Sequence, residues 1–191
     1  LYRRAVDAST EVDGPRGEMT ITSIGNLAFL LAELDRLEEA EPFAQQAVDL
    51  ARKHLGPDNP DTYLAIDKLA SLVRQRGRPA EALELHDEAL EGLHRLLGAR
   101  HSTTLGSTYA SSIALRELGR FDESIARLEE MVPIIREEYG PESRFMSPTL
   151  QALGASLRAA GRPGEAVEPL ETALAGVIKV LGPEHHRRAV V

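Results

Sequence analysis

Residues 77–90 read GRPAEALELHDEAL, and residues 161–174 read GRPGEAVEPLETAL, almost the same sequence 84 positions later. Halfway between them, residues 119–132 carry a looser copy, GRFDESIARLEEMV, and residues 35–48 carry a fourth, DRLEEAEPFAQQAV. The chain therefore repeats with a period of 42 residues. Self-similarity at a fixed period of this length is typical of solenoid proteins, in which each unit buries its apolar face against the next.

Two columns of turn residues mark the boundaries inside each repeat. In the first column glycine recurs at every period, and four of its five members are followed by proline. Glycine adopts the left-handed conformation of a helix C-cap at little cost and proline cannot continue a helix, so this pair predicts a helix end. The column consists of Gly14, Gly56, Gly98, Gly140 and Gly182.

The second turn column carries an arginine with a glutamate three residues later, at the expected start of the longer helix. We interpret these pairs as structural, and Pro79 and Pro163 lie where proline is best tolerated in a helix. The pairs are Arg36 and Glu39, Arg78 and Glu81, Arg120 and Glu123, and Arg162 and Glu165.

The segments between these turns have the apolar spacing of amphipathic helices. Ile24, Leu27, Ala28 and Leu31 follow the i, i+3, i+4, i+7 pattern, and no segment alternates with the period of a strand. Pro133 lies inside a predicted helix, where we expect a kink. The pattern predicts an initial helix over 1–13, followed by helices over 19–34, 37–55, 61–76, 79–97, 103–118, 121–139, 145–160 and 163–181.

Small residues at fixed offsets indicate the kind of helical repeat. In the second repeat they are Ala70, Ala82 and Ala89, and we expect Ala82 to be buried between helices while Ala80 faces solvent. This triplet, with glycine at the turn, resembles the tetratricopeptide repeat (TPR). The 42-residue period and the segment LGPDNPDT at 55–62 are similar to the long form found in kinesin light chains and related bacterial proteins. HEAT or armadillo repeats are the alternative fold, but they lack the triplet.

The resemblance implies an all-α superhelical solenoid of αα-hairpins, with about four and a half repeats in a single array over residues 1–191. Residues 1–14 would end a preceding repeat and 183–191 would begin a following one, so we expect a piece of a longer protein. The complete repeats would cover 15–56, 57–98, 99–140 and 141–182.

Composition and motifs narrow the function. The net charge of −8 argues against binding to nucleic acid or to an anionic membrane, and no apolar run is long enough to span a bilayer. The absence of cysteine fits a reducing compartment and predicts a cytoplasmic location. His86, His94, His101, His185 and His186 do not have zinc-ligand spacing, and we expect them to be exposed or to cap helices.

Phosphate loops and serine-hydrolase motifs are also absent from the sequence. We therefore predict no enzymatic activity, no cofactor and no metal site.

The remaining candidate is the surface of the shorter helices, opposite their buried stripe, which a TPR array would turn toward the hollow of its superhelix. One column there repeats without interruption as Arg74, Arg116 and Arg158, called here the arginine column. Its guanidinium groups could bind carboxylates or carbonyls of an extended peptide, or could pair with glutamates such as Glu33 and Glu117. The candidate peptide-binding residues are Asn26, Phe29, Asp67, Arg74, Tyr109, Ile113, Arg116, Gln151 and Arg158.

The predicted function is a scaffold that docks a protein or peptide segment in the concave groove. The alternative hypothesis is a regulatory or oligomerisation arm of a larger signalling enzyme, such as a kinase or an NTPase, whose ligand would be an attached domain in cis.

Overall fold

A computed structural model describes residues 2–181, and all of their regular secondary structure is α-helical, as the repeat pattern predicts. Gly182, His185, His186 and the predicted repeat start at 183–191 lie outside the described residues. The helices are α1 (Tyr2–Asp13), α2 (Glu18–Glu33), α3 (Leu37–His54), α4 (Pro60–Gln75), α5 (Pro79–Leu97), α6 (Ser102–Glu117), α7 (Phe121–Tyr139), α8 (Met146–Ala159) and α9 (Val167–Leu181).

Left-handed residues end the helices at the predicted glycine columns. Gly56 and Gly98 have φ values of +77° and +81°, and Gly77 has +77°. Asp35 occupies the position of Gly77 one repeat earlier and adopts φ +58°, which few non-glycine residues other than asparagine and aspartate tolerate. The turn geometry is therefore kept even where the glycine is missing.

The start of α9 differs from the prediction, because residues 163–166 form a turn and the helix begins only at Val167. The amide of Ala166 donates to the carbonyl of Pro163 at 3.2 Å, a contact three residues apart rather than four. Gly164 replaces Ala80 of the second repeat and is a poor helix former. Pro169 has no amide hydrogen to donate to the carbonyl of Glu165, so an earlier start would leave that carbonyl without its helical partner.

Prolines lie inside α3 and α7, and neither helix is interrupted at its proline. Pro42 lies in the early part of α3, and Pro133 lies in the middle of α7, which remains one continuous helix from Phe121 to Tyr139.

Two compact units make up the chain, and the division falls inside α6, between Ala114 and Leu115. In the first unit α2 packs against α3, α3 against α4 and α4 against α5, and α2 also contacts α4. Its core is aliphatic, with Leu27 and Val48 from the first repeat and Ile66 and Val73 from the second. In the second unit α7 packs against α8 and α8 against α9. The single-array organisation of the chain stays a prediction.

Alanines of the small-residue triplet are fully buried, as predicted for Ala82. Ala40, Ala70, Ala82 and Ala89 are each 0% exposed, whereas Ala80 is exposed. A methyl group leaves little space between the backbones of two packed helices. These positions therefore determine how tightly the helices of a hairpin pack.

Candidate functional site

An exposed surface on α2 and α4 contains two of the predicted peptide-binding residues. Phe29 is 56% exposed, unusually high for a large aromatic side chain, and Asn26 lies one helical turn before it, also exposed. Lys68 on α4 donates from Nζ to Oδ1 of Asn26 at 3.0 Å. We call the surface formed by Asn26, Phe29, Lys68, Ser71 and Gln75 the α2–α4 surface.

The amine of Lys68 is poorly solvated for a lysine. Burial lowers the pKa of Lys68, and the nearby carboxylates of Asp61 and Asp67 offset only part of that shift. A desolvated cation gains more from a new carboxylate neighbour than a fully hydrated one does. Lys68 is thus the charged group of this surface best suited to receive an acidic side chain.

A dimple of about 20 Å³ lies between Phe29 and Lys68, with alanine and leucine side chains in its wall. That volume holds one water molecule or one methyl group, too little for a bound small molecule. The α2–α4 surface can therefore accept the tip of an apolar side chain while leaving Phe29 available for contact along its ring.

Lys68 was not among the predicted binding residues, although the sequence contained a signal for it. It occupies the column of Asn26 one repeat later, and both residues come together in the structure across 42 positions. Asparagine and lysine share no obvious pattern, so the pairing becomes visible only when the repeats are aligned.

Asp67, another predicted binding residue, is half-buried and takes part in a polar cluster. Its Oδ1 atom lies 2.7 Å from Nδ1 of His86 and accepts a hydrogen bond from Oγ of Ser107 at 2.5 Å. The side chain of Asp67 is 16% exposed and that of His86 is 0% exposed. These contacts join α4, α5 and α6 within the first unit.

The prediction that His86 is exposed or caps a helix is wrong. Its column contains Ala44, Leu128 and Leu170 in the other repeats, and Ala44 and Leu128 are buried. The aligned column therefore carried a signal for burial. His86 satisfies one ring nitrogen with Asp67, while Nε2 is buried and has no partner among the described residues.

Serine, aspartate and histidine in one cluster invite comparison with a catalytic triad, but the order of contacts is different. In a triad the histidine lies between the serine and the carboxylate and removes the serine proton. Here Ser107 donates to Asp67, and the carboxylate lies between the other two residues. The arrangement does not activate the serine, and we assign it to the stability of the first unit.

The remaining predicted residues are distributed over both units. Tyr109 and Ile113 are half-buried on α6 in the first unit, and Gln151 on α8 is exposed and donates to Oγ of Ser147 at 3.2 Å. In the arginine column, Arg74 belongs to the first unit and is half-buried, and it already interacts with other residues of the protein. Arg116 is half-buried and Arg158 is exposed, both in the second unit.

The other arginine column forms the predicted turn contacts in every repeat. Each guanidinium binds the glutamate three residues later through two hydrogen bonds of 2.6–2.8 Å, as Arg78 does with Glu81. The arginine hydrogen bonds lower the pKa of Glu81, Glu123 and Glu165. Because these pairs are exposed, they define the geometry of the turn more than they stabilise the fold.

Within residues 2–181, no three histidine or acidic side chains are grouped so that they could hold a metal ion. The helices of the same region include none with the length and apolar content of a membrane span.

Comparison with known proteins agrees with the helical repeats described above. The sequence matches the tetratricopeptide repeat family in four overlapping segments, 1–53, 20–93, 61–130 and 104–179. The chain belongs to the tetratricopeptide repeat family, a class of all-α solenoids that commonly mediate protein–protein interaction and are generally not enzymes. This match decides against HEAT or armadillo repeats. None of the curated proteins matches the chain.

Solved structures with a similar fold include kinesin-light-chain-like proteins. Nearly identical TPR-like repeats from Podosopora anserina, described as kinesin light chain, are 22% identical, with a TM-score of 0.74, over 94% of this chain and 85% of theirs. BtubC (BKLC) from P. vanneervenii is 21% identical, with a TM-score of 0.80, over 95% of this chain and 72% of its own. PlcR from Bacillus thuringiensis, solved with the peptide PapR7 and DNA, is 15% identical, with a TM-score of 0.76, over 100% of this chain and 66% of its own. At these identities the likeness concerns the fold.

Proposed function

We propose that this protein is a peptide-binding scaffold and that the α2–α4 surface is where a partner segment first docks. The observation that carries the proposal is an exposed phenyl ring, Phe29, and a half-buried lysine, Lys68, on the two sides of one dimple. Exposed aromatic side chains are over-represented at interfaces because they bury a large area while losing few rotamers. The proposal also draws on the family, whose members commonly bind proteins, and on PlcR, which was solved with a peptide.

The chemistry of this surface favours a segment with an acidic side chain next to an aliphatic one. The carboxylate would approach Lys68, and the side-chain amide nitrogen of Asn26 would donate to it and orient it. The aliphatic side chain would lie on Phe29 and place a methyl group in the dimple. An extended backbone would present both groups from residues i and i+2, since alternate side chains of an extended segment point to the same face and are about 6.6 Å apart along the chain.

The arginine column would extend this site along the repeats. Arg74, Arg116 and Arg158 occupy equivalent positions in consecutive units of the sequence, and in a regular array they would follow the same strip of surface. Guanidinium groups there would bind carbonyl and carboxylate groups further along the segment.

Selection of random peptides on the 191-residue chain, followed by fluorescence polarisation with the enriched peptides, tests the proposal. We expect Phe29→Ala and Lys68→Met to weaken binding by about tenfold or more, as loss of an interface hot spot does. Leu174→Ala removes an apolar side chain that is 55% exposed in the second unit, and Lys53→Met removes an exposed cation of α3. These two controls should bind as the wild type does. Equal affinity of all four variants would place the peptide elsewhere.

A further inference from the structure

In the second repeat, an aromatic ring fills the space between the two helices near the end of the hairpin. The ring of Tyr63 on α4 lies against Gly92 on α5, so closely that a Cβ atom at Gly92 would be 2.2 Å from the ring. Arg95 donates from Nη2 to the hydroxyl of Tyr63 at 3.1 Å and to the carbonyl of Pro57 at 2.6 Å. Its Nη1 binds Asp58 at 3.0 Å. A glycine, a cation and an acid thus form a frame around one phenol ring.

The fourth repeat keeps this frame and lacks the ring. Exactly two repeats later the sequence has Gly176 for Gly92 and Lys179 for Arg95, and Glu142 replaces Asp58. Lys179 and Glu142 form the equivalent ion pair. The position of Tyr63, however, is occupied by Ser147.

The missing ring leaves a cavity. A Cβ atom built on Gly176 meets no atom of the described residues within 4 Å, in contrast to Gly92. The space measures about 360 Å³, and Met146, Ala173 and Val177 contribute apolar wall. This volume lies in the range of cavities that hold small ligands.

Polar groups of the cavity are placed for a hydroxyl-bearing ligand. Ser147 donates to the carbonyl of Ala173 at 3.4 Å, so its short side chain stays close to α9. The hydroxyl of Ser143, which also lines the cavity, is buried and has no partner among the described residues. A buried hydroxyl without a partner is costly, and a ligand that bonds to it removes that cost. The rim residues Pro141 and Glu142 are exposed, which gives access from solvent.

We propose that this cavity binds the phenol ring of a tyrosine side chain supplied by a partner segment. The ring would take the place against Gly176 that the Tyr63 ring takes against Gly92, and its hydroxyl would accept a hydrogen bond from Lys179. The second repeat thus shows, inside the same chain, the ligand that the fourth repeat fits. This site is separate from the α2–α4 surface, and its existence does not depend on the function proposed above.

The test uses p-cresol, the analogue of the tyrosine side chain, with the 191-residue chain in calorimetry and in thermal unfolding. We expect saturable binding and a rise in melting temperature, because a ligand that binds only the folded state stabilises it. Toluene, which lacks the hydroxyl, should bind about fivefold more weakly, the effect of one ordinary hydrogen bond. Binding without saturation, or equal binding of toluene and p-cresol, would overturn the proposal.

Substitutions that fill the cavity provide the matched variants. Ser147→Tyr supplies the ring in cis, and Gly176→Ile introduces the residue that the third repeat carries at this position, Ile134. Each should reduce p-cresol affinity at least about tenfold, whereas Leu174→Ala, at an exposed position of α9 outside the cavity, should keep it. The two blocking variants alter opposite walls of the cavity, so one of them still tests the proposal if the other fails to fold. Undiminished binding in a folded blocking variant would show that p-cresol binds at another place.

N-acetyl-tyrosinamide distinguishes a tyrosine side chain from a free phenol. It carries the peptide groups on both sides of the ring, and we expect it to compete with p-cresol for the same site. If p-cresol binds and N-acetyl-tyrosinamide does not, the cavity accepts only small free phenols and a partner tyrosine is excluded.

Discussion

Asp67 is the residue on which the polar core of the first unit depends. Replacing it by alanine leaves the buried His86 ring and the hydroxyl of Ser107 without their acceptor. We expect Asp67→Ala to lower the free energy of unfolding by about 1–3 kcal/mol, the cost of buried polar groups left unpaired. Urea denaturation measures this, with Asp122→Ala as control because the Asp122 side chain is 91% exposed. An unchanged unfolding midpoint would return Asp67 to the list of surface binding residues.

A second prediction at the residue scale concerns the packing of Ala82 between helices. It is 0% exposed between helices, so Ala82→Leu should overpack the hairpin and lower the free energy of unfolding by about 1–3 kcal/mol. Ala80→Leu adds the same atoms on an exposed position of the same helix and should change the stability very little. Coincident melting curves for the two variants would contradict the assigned helix faces.

Lys68 gives the α2–α4 surface a dependence on pH. Burial lowers its pKa in the folded protein below the ordinary value of 10.5, so the folded state binds fewer protons than the unfolded state between these two values. The burial penalty is therefore fully present below the folded pKa and is relieved as the pH rises toward 10.5. We expect the stability of the wild type relative to Lys68→Met to increase between pH 7 and pH 10 in urea denaturation. A constant difference would mean that the Lys68 amine is as well solvated as in the unfolded chain.

Residue-scale prediction from sequence succeeded where most members of a column share one property. The small residues at Ala40, Ala82 and Ala89 are all buried because backbone distance permits nothing larger. It failed at His86, whose cluster partners Asp67 and Ser107 come from two other helices and are not related to it by the period. A polar cluster of this kind depends on how side chains from non-equivalent repeat positions meet in space. Comparing equivalent positions of the repeats does not reveal such contacts.

At the scale of the helix, Gly92 and Gly176 occupy the same position with opposite consequences. Gly92→Ala would place a methyl group on the ring of Tyr63, so we expect a destabilisation of about 1–3 kcal/mol. Gly176→Ala meets open space and should stabilise α9 by about 0.5–1 kcal/mol, the helix preference of alanine over glycine. Chemical denaturation of both variants and of the wild type measures the two signs. Destabilisation by Gly176→Ala would indicate that the cavity next to it is filled.

Helix boundaries were predictable because the signals that end helices are local. Seven of the eight helices predicted after the first match the structure to within about one residue, and the exception, α9, is preceded by Gly164 and has Pro169 in its first turn. The sequence contained both residues, but Pro163 indicated a helix start at residue 163. Gly164 and Pro169 together move the start to Val167. By contrast, α7 runs through Pro133, because neighbouring turns of the helix hold the segment in place despite one missing hydrogen bond.

For the whole molecule, the 42-residue period determines the fold but does not identify the binding surface. Every repeat must bury the same stripe against its neighbours, and this requirement recurs often enough in the sequence to identify the family. The exposed columns have no such requirement and differ between repeats, as Asn26 and Lys68 do. The arginine column is uniform in three successive repeats and lies outside the turns, where the other arginine column is uniform for a structural reason. It is therefore the surface feature that the sequence singles out for binding.

The last prediction concerns the arginine column and separates binding from folding. If Arg74, Arg116 and Arg158 bind a partner, replacing all three by glutamate should abolish binding of an acidic peptide selected on the wild type. Stability should fall only slightly, since all three arginines keep contact with solvent and solvent-screened charge pairs contribute about 0–1 kcal/mol each.

The control for this prediction must carry the same charge. Each replacement changes the net charge by −2, so the variant goes from −8 to −14, and reversal of the exposed Arg16, Lys53 and Arg136 gives the same total. Peptide affinity and melting temperature are measured on both variants. A column variant that melts well below this control and still binds the peptide would assign the three arginines to the fold, as partners of glutamates such as Glu33 and Glu117.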